Sequence, residues 1–287
     1  MKAYTDKDFS LTAVLAHPDD ESFGMGGTLA LYARKGVEIH LICATRGEAG
    51  EMDPDCLEGF DSIAERRESE LRCAAEQLGI TSVHFLNYRD SGMSGSPANQ
   101  HPQALANAPI ADVAQSIAEQ IRRLRPQVII TFDPIGGYKH PDHIAIHKAT
   151  LAAFKLAGDV HHYSEYPPYR PEKLYFHLIP KGFLRWAVRL LRIFGKDPTR
   201  FGRNQDIDLV ALVKEGSFPT HAIIDYREVQ DFRDQAAQCH ASQLDAASQR
   251  GGIMRWARYF FGSKDYYMRA EPPPTPGRVE RDLFESL

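Results

Sequence analysis

Two short segments carry residue types that hold a divalent metal and move protons: His17-Pro18-Asp19-Asp20-Glu21 and His140-Pro141-Asp142-His143. A catalytic zinc takes three protein ligands from histidines and carboxylates and leaves a further position for water. The first segment offers one imidazole and two neighbouring carboxylates, and the second completes the ligand count. Adjacent residues in a turn point in different directions, so one Asp can bind the metal while the other reaches the attacking water. A simpler role competes, because Asp19 or Asp20 could cap a helix starting near Ser22. The second segment weighs against it, since both groups stand at equivalent places in two βα units. His147 lies four residues beyond His143, but the Glu of an H-E-x-x-H motif is missing, so His147 reads as structural.

The elements that must position these residues are legible in the first half of the chain. Leu11 to Ala16, Glu38 to Ala44, Ser82 to Leu86 and Gln127 to Phe132 are β-rich runs. Thr28 to Lys35, Ser62 to Leu78, Ile110 to Arg125 and His143 to Leu156 space their apolar residues as helices do. This alternation predicts an α/β, Rossmann-like fold, a mostly parallel sheet with helices on both faces. Ligands of such sheets sit beyond the carboxyl ends of the strands, so the loops at His17, Arg46 to Glu51, Tyr88 to Met93 and Asp133 to His143 converge on one site.

We expect one domain over residues 1–287, with a core at about 11–157 and a less regular part at about 158–287. The latter holds a Tyr- and Pro-rich stretch from Tyr163 to Arg170, a basic amphipathic helix at about 182–196, and PPPTPG at 272–277 leading into an extended tail. That helix reads as a cover helix with a solvated basic face, a subunit contact and a membrane-surface contact being the alternatives. A net charge of −4 and a pI near 6.3 provide no footprint for nucleic acid. Cys43, Cys56, Cys73 and Cys239 are scattered without a C-x-x-C pair, which fits a reduced, cytoplasmic setting. No export signal or spanning segment is readable. Homo-oligomerisation stays open. Gly24-Met25-Gly26-Gly27 raises a rival from another class, a nucleotide-binding module without hydrolase activity, although the first βα turn itself is filled by His17 to Glu21.

The motifs A-H-P-D-D-E and H-P-D-H, with T-R-G-E-A-G-E at 45–51 and R-E-S-E at 67–70, resemble the LmbE-like, or PIG-L, family of zinc de-N-acetylases. The likeness runs from about Leu11 to Phe154 and resumes weakly at H-A-S-Q, His240 to Gln243. Y-R-D-S-G-M at 88–93 and G-G-Y-K-H-P-D-H at 136–143 look most like the deacetylase and conjugate amidase of mycothiol metabolism. The resemblance implies one zinc per chain, iron(II) being the alternative, held by His17, Asp20 and His143. It implies Asp19 as general base, a protonated His140 opposing the oxyanion, and Tyr138 swinging towards that oxyanion or the leaving amine. Asp142 is either the partner that raises the His140 pKa or a helix cap. Arg67, Asp90 and Met93 are implied as sugar-binding positions, and Glu48 as lining the mouth or supporting Arg67. The implied substrate is a small N-acetylated sugar conjugate, with an amide of a thiol-sugar conjugate as the alternative.

Overall fold

The computed structural model describes residues 9–202, 205, 207–215, 217–244 and 263–287. Every residue of β1 (Ser10–Leu15) is buried, as a strand covered by helices on both faces must be. It pairs in parallel with β2 (Glu38–Cys43), which pairs in parallel with β3 (Ser82–Phe85). On its other side lies β4 (Val128–Phe132), followed by β5 (Lys173–Leu178), again parallel. β6 (Ala222–Asp225) and β7 (Lys264–Glu271) complete the sheet antiparallel, in the order β3-β2-β1-β4-β5-β7-β6. The expected first-half strands are all present within about two residues.

The helices fill the connections: α1 (Asp20–Gly24) and α2 (Gly26–Arg34) after β1, α3 (Ile63–Leu78) after β2, α4 (Ile110–Leu124) after β3, and α5 (Gly136–Lys139) and α6 (Pro141–Leu156) after β4. α7 (Lys181–Ile193) and α8 (Leu209–Lys214) follow β5, and α9 (Gln230–Cys239) follows β6. β1 sits between β2 and β4 although β2 and β3 precede β4 in the chain. The strand order therefore reverses beside β1, and the loops after β1 and β4 open onto the same crevice.

Three expectations change. The chain beyond residue 157 is not merely irregular, because it adds β5, β6 and β7; in β7 Asp265 and Tyr267 are buried in a period-two pattern that a polar residue disguises. PPPTPG does not lead into an extended tail. The Ile223 N–H donates to the Glu280 carbonyl and the Glu280 N–H to that of His221, while Leu283 and Phe284 join the main core. Lys173 and Tyr175 also bond the Glu280 carboxylate, which anchors this return from inside the sheet. Finally, the cysteines are not all free thiols: Cys73 on α3 and Cys239 at the end of α9 form a disulfide across 166 residues. They no longer argue for a reducing compartment. The basic helix is present as α7, with Leu184 and Val188 packed on Leu209 and Leu212 and with Arg185, Arg189 and Arg192 exposed. No helix among the described residues is long and apolar enough to cross a membrane.

After the first motif, Gly27 serves packing. A Cβ on Gly27 would stand 2.1 Å from a ring carbon of Tyr226, so only glycine lets α2 lie against that ring. Gly27→Ala is expected to destabilise the protein by about 1–3 kcal/mol through overpacking, measured by urea unfolding; unchanged stability would show that the Tyr226 ring moves freely.

Candidate metal centre

His17 leaves the end of β1, and α6 begins with His140 at its N-cap and Pro141 in the first helical position, where its fixed φ suits the start of a helix. Asp142 and His143 then fall in the first turn and point back at the end of β1. The His143 ring lies flat on Phe132, the last residue of β4, with centroids 3.9 Å apart and planes 11° from parallel. Strand end and helix start therefore aim the two segments at one another.

Three donor groups converge, Asp20 meeting the two imidazoles through different oxygens. His143 Nε2 is 3.2 Å from His17 Nδ1 and 3.2 Å from Asp20 Oδ1, and His17 Nδ1 is 3.5 Å from Asp20 Oδ2. Bonds of about 2.0–2.1 Å in tetrahedral geometry require donors about 3.3–3.4 Å apart, so these three fit a divalent metal of zinc's size. The far side of His17 explains its tautomer. Nε2 lies 3.1 Å from Asp142 Oδ2 and 3.4 Å from Asp90 Oδ1, so it donates its proton there, and a metal would displace the proton of Nδ1 to take the lone pair that faces the cluster. Burial works against charge on His17, yet the surrounding Asp90, Asp142 and Asp20 raise its pKa well above the usual imidazole value. Burial likewise opposes charge on Asp20, and the facing His143 and His17 hold its carboxyl well below the usual range. Donor atoms of His140 also come within 4.8 Å of His17 and His143, as do those of Asp90 and Asp142 around His17. Asp90 and Asp142 meet the outward Nε2, which makes them supports of the ring.

Asp19 is not a cap. It precedes α1 without a side-chain bond to the helix, and its φ of 142° lies where side-chain-bearing residues are rare. Its Oδ2 accepts from Arg67 at 2.7 Å. Burial pushes its pKa up to about 6, against the pull of the guanidinium.

Several implied roles move. Asp142 neither raises the His140 pKa through contact nor caps α6 with its carboxylate: that group faces His17 Nε2 and accepts from the Ser91 amide and hydroxyl. The surroundings of His140 disfavour the charge expected of it. Burial, reinforced by His17 and His143, lowers its pKa to about 2, and its Nδ1 accepts the Asp142 N–H, so the neutral ring carries its proton on Nε2. Arg67 turns inward: Nη2 donates to Asp19 and to the Pro18 carbonyl and Nη1 to the Gly47 carbonyl, while its buried Nε has no partner among the described residues. Asp90 is buried, accepting from Gly92 and Ala49 amides beside His17. Glu48 accepts the Arg46 N–H, while the Gly47 carbonyl takes the place beside Arg67. Met93 lies half-buried on the Asp90 loop. Tyr138 stands with its ring 5.0 Å from that of His143 and 5.9 Å from that of His140, and burial raises its hydroxyl pKa, which keeps it a donor. His147 holds the Phe132 carbonyl through Nδ1, as the structural reading has it. Ser91, which holds Asp142, carries no mark in the sequence beyond its place in Y-R-D-S-G-M.

Residues 12–154 match the PIG-L family, described as GlcNAc-PI de-N-acetylase. A 1D-myo-inositol 2-acetamido-2-deoxy-alpha-D-glucopyranoside deacetylase of Acidothermus cellulolyticus is 39% identical over 289 residues, covering 97% of this chain and 95% of that protein. Among solved structures, N,N'-diacetylchitobiose deacetylase of Pyrococcus horikoshii superposes with a TM-score of 0.61 at 18% identity, over 94% of this chain and 86% of its own. The 4-carboxy-2-hydroxymuconate hydratase GalB of Pseudomonas putida shares the fold almost as well, with a TM-score of 0.60 at 19% identity over 93% and 98%. A hydratase on this scaffold shows that the fold leaves the reaction open. The near full-length sequence identity, together with both His/Asp motifs, decides the matter: the chain belongs to the PIG-L family of GlcNAc-PI de-N-acetylases.

Proposed function

We propose that the protein is a zinc-dependent deacetylase that hydrolyses the acetamide of an N-acetylglucosamine conjugate to acetate and the free amine. The observation that carries this reading is the meeting of His17 Nδ1, Asp20 and His143 Nε2 at tetrahedral spacing, with the Asp19 carboxylate one residue from that cluster. When bound, zinc supplies Lewis acidity to the acetamide carbonyl and to the attacking water. Asp19 then takes a proton from the water and returns it to the leaving nitrogen. Arg67, held at 2.7 Å, fixes the direction of that carboxylate. The His140 Nε2–H and the Tyr138 hydroxyl are the neutral donors for the developing oxyanion, each useful because it is preorganised in a buried site.

The substrate class follows the relatives, whose names specify 2-acetamido-2-deoxyglucosides of myo-inositol. The test is amine release by metal-depleted protein reconstituted with zinc or iron(II). Its substrates are 1D-myo-inositol 2-acetamido-2-deoxy-alpha-D-glucopyranoside, simple N-acetylglucosaminides, and amides of thiol-sugar conjugates. Equimolar acetate and amine from the first two, abolished by chelation and restored by zinc, are expected. Release from the thiol conjugates alone would make the protein an amidase, and saturable nucleotide binding without hydrolysis would replace the reading altogether.

A further inference from the structure

His240 comes from the weakly matching H-A-S-Q segment and plays no part in the chemistry above, yet it is fully buried against the catalytic loop. Its Nε2 lies 2.7 Å from Glu21 Oε1, and its Nδ1 has no hydrogen-bond partner among the described residues, so the ring's one polar contact is Glu21. Glu21 is fully buried too. Its Oε1 accepts the Ser22 hydroxyl at 2.6 Å, and its Oε2 accepts the Asp19 N–H at 3.0 Å. That amide belongs to the residue whose φ of 142° departs from ordinary backbone, a conformation that persists only when its surroundings impose it.

Two clamps impose it. From one side Arg67 binds Asp19 Oδ2 and the Pro18 carbonyl; from the other Glu21 binds the Asp19 amide. The same short C-terminal segment backs both. Cys239 is bonded to Cys73 on α3, the helix that carries Arg67, and the amide and hydroxyl of Ser242 both donate to Glu70, also on α3.

We propose that His240 is a positioning residue for the general base: it locks the Glu21 carboxylate, which holds the Asp19 backbone and so the aim of its side chain at the attacking water. The inference rests on Asp19 being the base. It predicts an effect on turnover that passes through Asp19, with little effect on substrate binding or metal content. His240→Gln can carry an amide donor to the place of Nε2, whereas His240→Asn fills part of the space and stops short.

The experiment measures kcat, KM, zinc content and thermal melting for both variants, alone and combined with Asp19→Asn. His240→Asn is expected to keep its zinc and a near-normal KM while kcat falls about 10- to 100-fold, the scale of a misdirected reacting group. His240→Gln should regain most of that loss. In the Asp19→Asn background, His240→Asn should cost nothing more, because the group it aims is already gone. An equal loss in both backgrounds, loss of zinc, or equal damage from Gln and Asn would make His240 a core residue and overturn the proposal. Undiminished activity of Asp19→Asn by itself would instead overturn the base assignment. Normal impairment of Asp19→Asn together with wild-type turnover of His240→Asn would remove the role of His240 alone. If His240→Asn yields too little folded protein, Glu21→Gln, which keeps an acceptor for the Asp19 amide, carries the same double-variant test with the same expected silence in the Asp19→Asn background.

Discussion

Alanine at His17, Asp20 or His143 is expected to leave a folded protein that has lost its metal and about 1000-fold or more of its amide hydrolysis, since Lewis acidity is worth several kcal/mol. The three sites differ in stability. Asp90 and Asp142 both approach His17 Nε2, at 3.4 and 3.1 Å, and are nearly inaccessible to water. His17→Ala removes the donor between them and leaves two buried carboxylates facing a gap, a change that costs about 3–5 kcal/mol when a buried charge loses its partner. Asp20→Ala removes a group with one-tenth of its side chain exposed and leaves imidazoles that can turn neutral, so its cost is smaller. Metal analysis after dialysis and urea unfolding measure both effects. Stoichiometric zinc in all three variants would end the assignment of the centre.

Asp19→Asn has the second largest expected effect and the opposite pattern. It should keep its zinc and lose turnover by about 100-fold or more, the contribution of a positioned general base. The pH dependence follows from the same group. Asp19 works ionised, so wild-type activity falls as pH drops through the raised pKa of about 6. A dication beside it favours the ionised form and moves that limb to lower pH. In Asp19→Asn the limb should be gone. Rate profiles from pH 4 to 9 at saturating zinc read this directly; a limb that persists in the variant would belong to another group, and Asp19 would be only the anchor of Arg67.

The sequence shows the chemistry where the chemistry is local. His17 to Glu21 and His140 to His143 are short segments at strand ends, and their ligand types and Pro-stiffened turns are legible without knowledge of what packs around them. The first four strands and their helices are equally plain, because each buries an apolar face whose period records its own geometry. The glycines at 24–27 are legible only as glycines: the use of Gly27 against Tyr226 depends on a ring about 200 residues away.

Amino-acid sequence by itself determined the parallel α/β core, the two His/Asp segments and the family to which they belong. Tertiary structure alone decided how the ionisable groups are paired. Asp142 turned from its neighbour His140 to His17, 125 residues distant, because the first turn of α6 faces the end of β1. Arg67 met Asp19 across 48 residues, because α3 packs its guanidinium under the Gly47 loop, where a Cβ would collide with it. His240 met Glu21 across 219 residues, and Cys239 met Cys73, because α9 folds back onto α3. The difference has one physical cause. Backbone pattern is written in neighbouring residues, whereas the state of a buried charge depends on which distant group desolvates it, opposes it or shares its proton.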